Sequence, residues 1–257
     1  MKARVVPMAG GIRWLREGWR LFRVSPLNWM ALVSIYWLAM TAVSLVPLIG
    51  VAAATVLIPG FSVGFMAASR SCEQGRTPAM GMLFEAFRDR PLPQLMLGAV
   101  YLTALVVLLA ATMLADEGAL AGWMLVGARP SDAELQSDGF FSALVVAAGL
   151  YVPVMMLFWF APLLAAWHSM SAGKALFYSF FACLLNWRAF FGFGALVAAI
   201  SLGIPFLVLG ALLVVAGGQI RAGAATIAFP LLMILLPVLL ASFYASYRDV
   251  FAPPDGQ

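Results

Sequence analysis

Apolar residues run along this chain in long blocks, and the charged residues gather in the short stretches between them. Six blocks reach the roughly 20 residues a helix needs to cross about 30 Å of hydrocarbon. They are 28–50, 51–69, 94–115, 141–166, 189–216 and 223–247, and none has an Asp, Glu, Lys, Arg or His in its interior. Pro47 and Gly50 favour a tight turn between the first two. The pattern predicts an all-α, six-span helical membrane bundle, with residues 1–257 as a single integral membrane domain.

A different period precedes the first block. In "GGIRWLREGWRLFRVSPLNW" (10–29), Arg13, Arg16, Arg20 and Arg23 fall within an arc of about 80° on a helix. Ile12, Leu15, Trp19 and Phe22 make a second stripe, which Trp14 and Leu21 widen. A helix basic on one face and rich in Trp, Phe and Leu on the other lies in the membrane interface. Arg13, Arg16, Arg20, Arg23, Trp14, Trp19 and Phe22 are therefore the candidate membrane-surface residues. Each basic residue near an anionic leaflet contributes on the order of 1 kcal/mol. Pro26 ends this helix, and Asn28 is placed to cap the first span.

The same unit recurs. A shift of 158 sets Leu27-Asn28-Trp29 on Leu185-Asn186-Trp187 and Arg16 on Lys174; a shift of 65 sets Trp19 on Phe84, Phe22 on Phe87 and Pro26 on Pro91. Pro59, Phe65, Ala67 and Arg70 align in the same way with Pro237, Phe243, Ala245 and Arg248. These matches predict three copies, 9–70, 78–168 and 170–250, each an interfacial helix followed by a two-span hairpin.

Composition excludes a soluble domain. The chain is 64% apolar and 10% charged, against about 45–50% and about 25% in soluble proteins. A net charge of +4 raises nucleic acid as a partner, but the basic residues adjoin apolar spans and form no separate basic domain. Of the 15 Lys and Arg, all but Arg129 and Arg221 fall in 1–27, 70–93, 167–188 and 248–257. That bias predicts cytoplasmic N- and C-termini. Residues 1–11 lack the apolar core of a cleavable signal, so the first span is expected to serve as the insertion signal. Cys72 and Cys183 form no CxxC, and their expected side is reducing.

Candidate chemistry is sparse. With no ionisable residue inside a span, the carboxylate relay of a coupled pump is missing. Pro153, Pro162, Pro205, Pro230 and Pro237 predict kinks. Gly60 and Gly64 form a GxxxG, a helix-packing motif compatible with intrachain contact or a dimer. His168 reads as an interfacial anchor beside Trp167. Asp132, Glu134 and Asp138 lack the spacing and glycine of a calcium loop. No GxSxG, Walker, HExxH or SxxK motif occurs. Hence no catalytic residue, cofactor or metal site is expected.

At "SLVPLIG" (44–50), "LFWFAPLLAAWH" (157–168) and "SYRDVF" (246–251) the chain resembles a family of uncharacterised polytopic inner-membrane proteins of beta-proteobacteria. The resemblance covers nearly the whole chain. It implies a bacterial inner-membrane protein of about six spans and supplies no functional residue. Two readings follow. The first is a non-enzymatic scaffold or accessory protein that binds lipid, a membrane-protein partner or a second copy. The alternative is a transporter or channel for a neutral or lipid-like solute, lined by Tyr36, Thr41, Tyr101, Tyr151, Ser201 and Tyr244.

Overall fold

Where a proline follows a short helix, the chain turns and starts a long one. In the computed structural model, α1 (Ala9–Val24) gives way to α2 (Pro26–Ser44) at Ser25, whose backbone lies at φ −154°, ψ 73°. The same device ends α4 (Glu85–Asp89), which follows a 3-10 turn at Met80–Phe84; Arg90, at φ −147°, ψ 68°, leads into α5 (Pro91–Asp116). Proline disfavours the helical conformation in the residue before it, yet suits the first position of a helix.

The structure describes residues 3–215 and 223–251, with side chains described for all of these except 204–215 and 223–232. Arg221, the last residue of the predicted fifth span and the C-terminal residues 252–257 lie outside the described residues, as do the side chains of Pro205 and Pro230. The remaining helices are α3 (Gly50–Glu73), α6 (Ala119–Val126), α7 (Asp132–Leu135), α8 (Asp138–Phe158), α9 (Ala161–Trp167), α10 (Ala172–Leu185), α11 (Trp187–Val215) and α12 (Gly223–Phe251).

Among the described residues, five stretches are long and apolar enough to cross a membrane: Pro26–Ser44, Gly50–Glu73, Pro91–Asp116, Asp138–Trp167 and Met233–Phe251. The pair Ala172–Leu185 and Trp187–Gly203 is apolar enough to make a sixth when taken as one span, but it is bent by 79° at its break. The first span is shorter than its hydropathy predicts. It stops at Ser44 rather than at residue 50, because Pro47 lies in a turn and Leu48 adopts a left-handed φ of 67°.

The chain divides into two compact units. The one comprising Val43–Gly60 and Phe87–Phe181 is built on α5, which packs along α8 and against α6 and α9. Here the fourth span breaks between α8 and α9, just ahead of Pro162. Ser179 Oγ accepts the Phe160 N–H at 2.9 Å and donates to the Met156 carbonyl at 2.8 Å; the fully buried Gln94 donates Nε2–H to the Pro162 carbonyl at 2.9 Å. The backbone groups around the break are thus satisfied by protein, as hydrocarbon requires. At the other end, Ser131 and Glu134 form a reciprocal capping box on α7.

The other unit comprises Met1–Ala42, Phe61–Ala86 and Ala182–Gln257. In it α1 packs against both α11 and α12. The chain ahead of α1 is fastened as well: Arg4 N–H donates to the Val250 carbonyl at 2.9 Å and Val6 N–H to Asn186 Oδ1 at 2.7 Å. Asn186 Nδ2 in turn donates to the carbonyls of Arg4 and Ala182, each at 2.9 Å. Asn28 makes a related contact, from Nδ2 to the Pro78 carbonyl at 3.1 Å.

Candidate functional site

Three stripes of equal spacing run along α1, each turned about 100° from the next. The first is Gly11, Trp14, Gly18 and Leu21, and it faces protein; all four are buried. A Cβ on Gly11 would sit 2.5 Å from the backbone nitrogen of Phe193 on α11, and one on Gly18 would sit 2.8 Å from that of Ser242 on α12. Glycine at these two places lets α1 approach both backbones. Between them the Trp14 ring lies 5.2 Å from Phe190 and 6.1 Å from Phe193, and its indole N–H donates to Asp249 Oδ2 at 3.0 Å.

The second stripe, Ile12, Leu15 and Trp19, is left uncovered by protein, with Ile12 and Trp19 exposed. The third, Arg13, Arg16, Arg20 and Arg23, is exposed along its length. Of the residues expected at the membrane surface, the four arginines and Trp19 are exposed. Trp14 and Phe22 are buried within the unit; the glycines on either side of Trp14 draw its face onto α11 and α12. Gly60 abuts the Phe87 ring and Gly64 the Leu83 backbone, so each faces a neighbour within the chain.

Charge is organised around Arg248. Its guanidinium reaches Glu17 Oε1 on α1 at 3.2 Å and Glu73 Oε1 on α3. Tyr244 donates its hydroxyl to Glu73 Oε2 at 2.5 Å. Arg20 grips Glu17 with two hydrogen bonds, 2.5 Å and 2.9 Å. That grip, aided by the charges of Arg20 and Arg248, outweighs partial burial and holds the Glu17 carboxyl below the usual carboxylate range. Arg13 stands 3.8 Å from Asp249. Among the described residues, Arg16 and Arg23 alone of the stripe have no ion-pair or hydrogen-bond partner.

Beside the uncovered stripe runs an apolar groove of about 410 Å³, walled by α1, by Leu196 and Ile200 of α11, and by Ile234, Leu235 and Val238 of α12. A polar pocket of about 380 Å³ lies alongside, lined by Arg13, Trp14, Glu17, Ala245, Arg248 and Asp249. Arg16 lines both.

Neither the glycine stripe nor the network of Glu17, Glu73 and Arg248 was expected from the sequence. The signal for the first is two glycines seven residues apart in an otherwise strong helix. For the second it is Glu17, the lone acidic residue before Glu73. Other residues of interest are engaged elsewhere: Tyr36 lies edge-on to Phe61 and Phe65, Tyr101 edge-on to Phe158, and Cys72 and Cys183 are buried.

Over 247 residues the chain is 41% identical to the "Probable inner membrane protein BTH_II0599" of Burkholderia thailandensis, which covers 94% of this chain and 90% of that protein. No family model matches the chain, and no solved structure matches it. With identity of that degree over nearly the full length, and with apolar helices of membrane-crossing length in place, the chain belongs to the family of that probable inner membrane protein.

Proposed function

We propose that the chain is a non-enzymatic protein of the bacterial inner membrane that binds lipid, or a membrane-protein partner, at the cytoplasmic leaflet, with both termini on that side. The observation that carries this reading is α1 itself. Its arginines stand exposed next to exposed Ile12 and Trp19, a pairing of charge and apolar surface suited to a headgroup–acyl boundary. The transporter reading draws less support. Tyr36, Tyr101 and Tyr244, three of the groups it needs for a polar lining, are occupied in packing or hydrogen bonding.

The three-copy architecture is part of the proposal. The contact of Gly18 with Ser242 has a counterpart in that of Leu83 with Gly64: a shift of 65 relates the short-helix positions and one of 178 the span positions. In the third copy, Ser179 of the short helix α10 likewise meets Phe160 of the preceding copy's second span. Each short helix therefore seats on the second span of the copy before it, the first copy's on the last's. Such recurrence supports common units that bury one another's open faces.

Replacing Arg13, Arg16, Arg20 and Arg23 together with Glu tests the lipid reading. Detergent-purified wild type is expected to retain phosphatidylglycerol in preference to phosphatidylcholine, and the variant to lose that preference by about tenfold or more. Unchanged lipid retention with unchanged topology would refute the reading.

A further inference from the structure

Deepening that reading and resting on it, we propose that α1, α11 and α12 form a discrete site for one anionic phospholipid, an acyl chain lying in the apolar groove and the phosphate meeting Arg16. The size and the sidedness of the two spaces agree with one amphiphile. At about 410 Å³ and about 380 Å³, each falls within the roughly 300–1,000 Å³ of small-molecule sites. The first is walled by Leu15, Trp19, Ile200 and Val238, and the second by charged groups. They share a single lining residue, Arg16, a side chain with an apolar stem and a charged head that suits such a boundary.

Charge complementarity selects the occupant. The polar pocket is lined by three arginines against one Glu and one Asp, an excess of one positive charge. Arg13 is balanced by Asp249 and Arg248 by Glu17, which leaves Arg16 unpaired among the described residues. A phosphodiester carries one negative charge, and a guanidinium fork suits phosphate oxygens. A protein segment would need to bring both a narrow apolar rod and an acid at the same height. A free phosphate would leave the groove empty.

Native mass spectrometry of the full chain in mild detergent, titrated with phosphatidylglycerol, reads the site directly. Wild type should take up one phosphatidylglycerol well ahead of phosphatidylcholine, with no competition from inorganic phosphate. Arg16→Gln should weaken uptake about fivefold. Ile200→Trp fills the groove from α11 and should weaken uptake about tenfold; Leu15→Trp, which fills it from α1, should do the same, so that a folding defect in one helix is not mistaken for loss of the site. Arg23→Gln, on the same basic face but outside both spaces, should cost clearly less uptake than Arg16→Gln does. Equal losses for Arg16→Gln and Arg23→Gln would overturn the site while leaving general adsorption of the arginine face intact. Full uptake in both tryptophan variants, or displacement by inorganic phosphate, would also overturn it. Should even the four-arginine variant bind as wild type does, the broader reading falls with it.

Discussion

Gly18→Leu is expected to unseat α1 from between α11 and α12. Even a single added carbon would lie 2.8 Å from the Ser242 nitrogen and closer still to the Val238 carbonyl. Both are backbone atoms of a helix held by its own hydrogen bonds, so neither can swing aside as a side-chain tip would. Overpacking of this kind costs about 1–3 kcal/mol and occasionally more, and leucine adds three further carbons. If α1 lifts away, the Trp14 ring contacts, its bond to Asp249 and the Glu17–Arg248 pair go with it. Trypsin should then cut at Arg13, Arg16, Arg20 and Arg23, sites a seated helix resists, and the thermal midpoint should fall. Gly122→Leu serves as the control, because a Cβ there meets nothing within 4 Å. A Gly18→Leu protein as resistant and as stable as wild type would contradict the seating.

Asn186→Leu should release the chain ahead of α1. Asn186 is 1% exposed and holds Val6 N–H with its Oδ1 and the Arg4 carbonyl with its Nδ2. Leucine fills a similar space but offers neither group. A buried donor left without a partner costs about 1–3 kcal/mol, and the Val6 N–H lies beneath a residue that is itself buried. Exchange of the Val6 amide, measured by hydrogen–deuterium mass spectrometry, should speed up by about tenfold or more, since 1.4 kcal/mol is a factor of about ten. Asn186→Asp keeps the acceptor and should lose less protection at Val6. Equal protection in wild type and Asn186→Leu would show that the segment is held by something else.

How far the sequence foretold this structure depends on the range of the physics involved. The spans were legible because a bilayer demands some twenty apolar residues in a row, a condition visible in any window. The turn after the first span was foreseen at Pro47, but not that the helix ends as early as Ser44, since Leu45, Val46, Leu48 and Ile49 are as apolar as the residues before them. In α1 the arginine arc and the apolar stripe beside it were plain. The inward face of Gly11, Trp14, Gly18 and Leu21 was not, because it depends on close approach of the two glycines to the backbones of α11 and α12. Glu73 and Arg248 are 175 residues apart in the chain, so no local pattern joins them. The break in the fourth span could be anticipated from Pro162, but not its repair by Gln94 and Ser179, which depends on helices brought close only by folding.

Whether the basic segments all lie on one side of the membrane is the point on which the proposed role stands. Reporter fusions in intact cells decide it most directly. Green fluorescent protein should be bright at both the N- and the C-terminus, and alkaline phosphatase should be active when fused in the acidic loop near Arg129. An active phosphatase at either chain end, with the other end fluorescent, would mean an odd number of crossings and would contradict the account.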